Sequence, residues 1–224
     1  MQKLTPPQSE SELLQRCHAL TTKTLGELAY ALQKELPKNL TKAKGFIGQL
    51  IESALGASAN NQPEPDFPNL GIELKTLPLN AHGLPKESTY VCTAPLGIQA
   101  EMEYWQTSRV RNKLAKVLWV PIEADPNIPL NERRIGTPLL WHLDPQTEII
   151  LRQDWEELSH SLHLGQTENL SAKIGIYLQI RPKAAHSRIL NRKINEDSEE
   201  IWINPKGFYL RTAFTQKILA EHYG

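Results

Sequence analysis

Polar and apolar residues alternate along this chain with two periods. Apolar residues three and four apart mark helices, and strict alternation marks strands. "SESELLQRCHAL" opens with Ser9, carries Glu12 three residues on, and shows an apolar face at Leu13, Leu14 and Cys17, which predicts a helix started by a capping box. "TLGELAYALQ" repeats the signal with Thr24 and Glu27. "GFIGQLIESALGA" is apolar at Phe46, Ile47, Leu50, Ile51, Ala54 and Leu55, a helical spacing that sets Glu52 within a largely buried helix. Residues 71–79 and 88–95 read as strands joined by the turn "NAHGLPKE". A basic helix, "TSRVRNKLAK", is followed by the strand "VLWVPIEA". "RRIGTPLLWHL" reads as a strand and "TEIILRQDWEELSHSLHLG" as a helix stopped at Gly165. "IYLQIRP" and "EEIWINP" read as strands, "GFYLR" as a strand or turn, and "TAFTQKILAEHY" as a terminal helix. Strands and helices mix without strict alternation, so the expected class is α/β or α+β with a mixed sheet.

Composition sharpens this picture a little. The apolar share is 40%, enough for a folded core, and no apolar run approaches the ~20 residues of a membrane span. The polar N-terminus lacks the apolar segment of a signal peptide, and Cys17 and Cys92 are isolated, with no metal-ligand spacing. A soluble, cytoplasmic protein is expected. Net charge is zero, yet its distribution is uneven. The span 105–122 holds Arg109, Arg111, Lys113 and Lys116 with no acid. The span 169–195 holds Lys173, Arg181, Lys183, Arg188, Arg192 and Lys193, again with none, and 36–51 adds Lys38, Lys42 and Lys44. Such windows suit phosphate binding, and equally suit ordinary solvated faces.

The chemistry concentrates in "PEPDFPNLGIELKTLPL". Side chains two apart on a strand share a face, so Glu73 and Lys75 stand together, opposite Ile72, Leu74 and Thr76. A carboxylate beside an ammonium suits phosphodiester hydrolysis: the carboxylate binds a hard divalent cation, and the lysine orients water and offsets charge. A second carboxylate is needed to hold Mg²⁺, and Asp66 is the candidate, because Pro68, Asn69 and Gly71 let the chain fold back. Pro65–Asp66 followed by Glu73-Leu74-Lys75 is the spacing of the PD-(D/E)xK nuclease core. Taken alone, Glu73 and Lys75 also fit an exposed pair on an edge strand, and Glu52 fits the solvent stripe of its helix. The four residues together point to a site.

"KGFIGQLIESALGASA", "DFPNLGIELKT", "TSRVRNKLAKVLWVPIE", "RRIGTPLLW", "DWEEL", "YLQIRPKAA" and "GFYL", spread from about residue 20 to the C-terminus, resemble the MutH family of methyl-directed DNA mismatch repair endonucleases. The resemblance implies a restriction-endonuclease-like (PD-(D/E)xK) fold with a mixed central sheet flanked by helices. It implies one domain over 1–224 with two arms around a DNA cleft: a catalytic arm mainly over 18–104 with part of 150–172, and a recognition arm mainly over 105–150 and 173–224. Glu52, Asp66, Glu73 and Lys75 match the family's active site, with Asp66 and Glu73 the ligands of Mg²⁺. The implied activity is nicking of the unmethylated strand, 5′ to the G, at hemimethylated GATC in double-stranded DNA. The implied enzyme is a monomer, activated by MutL after MutS detects a mismatch. Arg181 and Lys183 of "RPKAA", Tyr209 of "GFYL" and Lys44 of "KGF" match DNA contacts of the family, Tyr209 being linked to the adenine methyl, and Lys113 of the basic helix is expected on phosphate. Tyr90 stands where some relatives have phenylalanine. Two other functions fit the same residues: a free-standing GATC-specific restriction endonuclease, and a DNA-binding module without catalysis.

Overall fold

The computed structural model describes residues 4–38, 40, 45–59, 63–95, 103–164, 174–183, 191–194, 200–203 and 205–224, with 191–194 and 200–203 described by their backbone. The chain forms two compact units, Met1–Glu87 with Lys113–His142, and Ser88–Asn112 with Leu143–Gly224. They divide the chain differently from the arms expected from sequence. Residues 113–142 join the first unit because they supply the strand beside 73–79, and 88–95 join the second because their strand pairs near residue 209.

The first unit holds α1 (Glu10–His18), α2 (Leu25–Ala31) and α3 (Phe46–Leu55), with strands β1 (Glu73–Leu79), β3 (Lys116–Glu123) and β4 (Leu139–His142). Its sheet runs β1-β3-β4, with β3 central, parallel to β1 and antiparallel to β4. This is the mixed sheet expected from sequence. Thr24 forms a full capping box with Glu27. At α1 the box is only half made: Ser9 Oγ accepts the Glu12 N–H, but the Glu12 carboxylate takes the Gln8 N–H and Arg16 instead of the Ser9 N–H. The strand expected over 133–143 shortens to Leu139–His142, with an isolated bridge at Ile135. Pro121 and Pro138 carry no N–H, so neither can donate to a ladder there.

Leu13, Cys17, Leu25, Leu28, Leu50, Ile51, Leu55, Phe67, Ile72, Leu74, Leu118 and Val120 form one buried core in this unit. It fixes the apolar faces of α3 and β1, and so sets which way their polar residues point. Gly56 ends α3 in the left-handed conformation at φ +82°. A Cβ there would lie 2.7 Å from the Thr5 carbonyl, so glycine is required on two counts.

The second unit builds an antiparallel sheet β2-β8-β5 from Thr89–Thr93, Lys206–Leu210 and Leu178–Pro182. A separate hairpin pairs β6 (Asn191–Ile194) with β7 (Glu200–Ile203). Strand β6 has no apolar alternation and is not predicted from sequence. Helix α4 (Arg109–Leu114) precedes β3, and α5 (Pro145–His163) and α6 (Thr212–Tyr223) complete the chain. Asp144 caps α5, its Oδ1 accepting the N–H groups of Gln146 and Thr147. Buried Asp154, on α5, accepts the N–H groups of Ile176, Tyr177 and Leu178 at 2.8, 2.6 and 2.8 Å and so holds the entry to β5. Among the described residues no helix is long and apolar enough to cross a membrane.

Candidate active site

The turn between Asp66 and Glu73 is built from local signals. Pro68–Leu70 forms one 3₁₀ turn, closed by Gly71 at φ +64°, where a side chain would be strained. Phe67 and Ile72 then bridge each other in antiparallel fashion, and both are buried in the core. That bridge folds the chain back on itself. Asp66 Oδ2 accepts the Leu74 N–H at 2.9 Å, which brings its carboxylate to the start of β1.

On β1, Leu74 points into the core with Ile72 before it, and Glu73 and Lys75 share the opposite face with buried Leu77. Lys75 Nζ donates to Glu73 Oε1 at 2.7 Å. Glu73 is only 3% exposed, although β1 lies at an edge of its sheet. This overturns the reading of Glu73 and Lys75 as a solvated pair. Glu52 comes from α3, where its carboxylate folds back over Gly48; a Cβ added at Gly48 would lie 3.6 Å from Glu52 Oε1.

Lys113 completes the group, and the sequence reading did not anticipate it there. Its Nζ donates to Glu73 Oε2 at 2.8 Å and to the Glu64 carbonyl at 3.2 Å. The cause is strand register. Glu73 pairs with Val117 in the parallel ladder, so the last turn of α4, four residues before Val117, arrives beside Glu73. A signal for this existed in the sequence, as a basic helix running directly into an apolar strand, but it needed the strand's partner to be known.

Glu73 therefore holds one ammonium on each oxygen. The other two carboxylates are less well compensated. Burial, then the charges of Asp66 and Glu73, push Glu52 up to about 7, against the opposing pull of Lys75 and Lys113. Burial and the charge of Glu73 also raise Asp66, and its bond from the Leu74 N–H opposes the rise. In both, burial disfavours the charged form first and the neighbouring negative charge adds to it.

This donor set fits a hard divalent cation. Asp66 and Glu73 offer carboxylate oxygens, and the crowding that raises Glu52 and Asp66 is what a cation would relieve. Among the described residues no three Asp, Glu, His or Cys side chains stand together as a ready-made cage.

In the second unit, Tyr90 and Tyr209 face each other across β2 and β8, edge to face at 5.3 Å. Gly207 makes room for them, since a Cβ there would lie 2.8 Å from the Tyr90 ring. The Arg181 guanidinium lies 5.9 Å from the Tyr209 ring centre and donates to Ser88 Oγ at 2.5 Å. Lys183 Nζ lies 5.4 Å from the Tyr90 ring centre and donates to Thr93 Oγ1 at 3.0 Å, an atom that also meets the Tyr90 hydroxyl at 2.9 Å. The structure thus brings Arg181, Lys183 and Tyr209, three residues expected on DNA, together with Ser88, Tyr90 and Thr93. Lys44 lies outside the described residues.

The window 105–122 is free of acids in sequence but not in space. Arg111 pairs with Glu148 at 2.6 Å, Lys113 with Glu73, and Lys116 with Glu10; Arg109 is exposed. Acids distant in the chain thus pair with three of its four cations.

The family model described as "MutH: DNA mismatch repair enzyme MutH" matches residues 55–154, a span that contains Asp66, Glu73, Lys75 and Lys113. The chain is 49% identical over 224 residues to a DNA mismatch repair protein MutH of Shewanella oneidensis, covering 100% of both chains. It is 49% identical over 218 residues to one of Yersinia pestis, covering 97% of this chain and 95% of that one. The chain belongs to the MutH family of DNA mismatch repair enzymes and has its restriction-endonuclease-like α/β fold.

Proposed function

We propose that this chain is a Mg²⁺-dependent DNA endonuclease of methyl-directed mismatch repair, acting as a monomer in the cytoplasm. It nicks the unmethylated strand 5′ to the G of hemimethylated GATC and is activated by MutL, indirectly by MutS. The observation that carries the reading is the convergence of Glu52, Asp66, Glu73 and Lys75 in one unit of a MutH-family chain, with Glu73 buried and Glu52 pushed up to about 7.

Asp66 and Glu73 would hold the ion. Once bound, Mg²⁺ stabilises charge on the phosphoryl oxygens and acidifies water. Lys75, fixed beside Glu73, orients the attacking water and offsets charge that builds in the transition state. Glu52 accepts or releases a proton close to neutral pH. Sequence recognition is assigned to the second unit. Arg181 and Lys183 are the donors that suit guanine O6 and N7 in the major groove. Tyr209, braced by Tyr90, presents a ring that would be crowded by a methyl on adenine N6.

The test is nicking of circular hemimethylated DNA with Mg²⁺, with and without MutL. Slow nicking alone and much faster nicking with MutL are expected. Efficient double-strand cleavage without a partner would identify a free-standing restriction endonuclease, and binding without cleavage in either condition a DNA-binding module.

A further inference from the structure

We propose that Lys113 is an exchangeable cation of the site, holding Glu73 Oε2 until a divalent ion takes that oxygen, and then serving the DNA phosphate. The inference rests on Glu73 being a metal ligand. Its ground is that Lys113 reaches one buried carboxylate from a different element and donates to a second acceptor beside it.

Glu73 gives Oε1 to Lys75 and Oε2 to Lys113, at 2.7 and 2.8 Å. The three side chains are 5%, 10% and 13% exposed for Glu73, Lys75 and Lys113, so water does little of the charge compensation. Lys75 stands two residues along the same strand, on the face of β1 that carries Glu73. Lys113 comes from the last turn of α4, reaches Glu73 on a long flexible stem, and has the Glu64 carbonyl as its other bond. A neutral carbonyl holds an ammonium more weakly than a carboxylate does. Lys113 therefore has a second acceptor already in place when Glu73 Oε2 is taken.

Metal-free, the arrangement is sensible: three carboxylates face two ammonium groups, and the most buried carboxylate takes both. A divalent ion that needs Glu73 Oε2 must displace Lys113. A DNA phosphate draws the same ammonium outward and so opens the oxygen. Metal and DNA then favour each other's binding by the same factor, since linkage is reciprocal. This joins two facts that otherwise conflict: Lys113 sits in a window that reads as phosphate-binding, yet its ammonium is spent on Glu73.

The experiment is calorimetric titration of the full chain with Mn²⁺, with and without a GATC duplex, for the native protein, Lys113→Met, Lys113→Arg and Asp66→Asn. Lys113→Met removes the competing ammonium and should bind Mn²⁺ without DNA about tenfold to a hundredfold more tightly, the worth of one charge-assisted hydrogen bond. Lys113→Arg keeps a cation and should stay near the native affinity, and Asp66→Asn should lose the ion. The duplex should tighten Mn²⁺ binding more in the native protein than in Lys113→Met. Lys113→Met binding Mn²⁺ no tighter than native, while Asp66→Asn loses it, overturns the exchange and leaves the metal site standing. Failure of the native protein to bind Mn²⁺ even with the duplex overturns both.

Discussion

Glu52→Gln isolates the electrostatic strain of the site, because glutamine keeps the shape of a protonated carboxyl and cannot ionise. In the metal-free protein Glu52 is raised from an ordinary 4.5 up to about 7, first by burial and then by Asp66 and Glu73. The folded chain thus holds this proton more tightly than the unfolded chain does. The stability it contributes is fully present below about 4.5 and is lost as pH rises through about 7. At about 1.4 kcal/mol per tenfold in proton affinity, and with the group only half-buried, the loss amounts to about 2–3 kcal/mol. Glu52→Gln does not suffer it. In chelator at pH 8 the variant should therefore be the more stable by about that amount, and its thermal midpoint higher by about 4–10 °C for a chain of this size. At pH 4 the two proteins should coincide within about 0.5 kcal/mol, and saturating Mg²⁺ at pH 8 should narrow the gap by favouring the ionised carboxyl. Thermal unfolding followed by circular dichroism from pH 4 to pH 8 reads all three. A variant no more stable than native at pH 8, or a gap that does not change with pH, would refute the argument.

Lys75→Ala should cut nicking by at least about a hundredfold while leaving the affinity for a GATC duplex within about tenfold; strand-cleavage and gel-shift assays check the pair, and unchanged nicking removes Lys75 from the chemistry. Tyr209→Ser takes away the ring that meets Tyr90 and Arg181. It should reduce the preference for hemimethylated over fully methylated GATC by about tenfold, the scale of one methyl group in a fitted pocket, in competitive nicking of the two duplexes. Asp154→Ala leaves three backbone N–H groups without their acceptor. It should destabilise the second unit by about 3 kcal/mol or more, seen as a lower unfolding midpoint, and a loss below about 1 kcal/mol would contradict the role given to Asp154.

Local pattern carried the reading a long way. Alternation on β1 put Glu73 and Lys75 on one face, the turn formers after Asp66 predicted the fold-back, and helical spacing located α3 with Glu52 on it. The α/β class with a mixed sheet is borne out. What was not legible depends on pairing between distant segments. Glu73 is buried at a sheet edge because β3 runs parallel to β1 and delivers Lys113, a relation no local window contains. For the same reason the partners of the acid-free run 105–122 were not legible: Glu10, Glu73 and Glu148 reach it from far along the chain. Thr93 and Ser88 have no sequence signature; they matter because antiparallel pairing sets β2 near Lys183 and Arg181. Strand β6 escaped because "NRKI" has neither alternation nor an apolar run.

The most direct measurement uses a short duplex with one hemimethylated GATC, each strand end-labelled, incubated with the protein, MutL and Mg²⁺ and read at nucleotide resolution. The account predicts a single break, 5′ to the G on the unmethylated strand, lost when Mg²⁺ is chelated. Breaks in both strands, a break on the methylated strand, or cleavage that persists in chelator would contradict it.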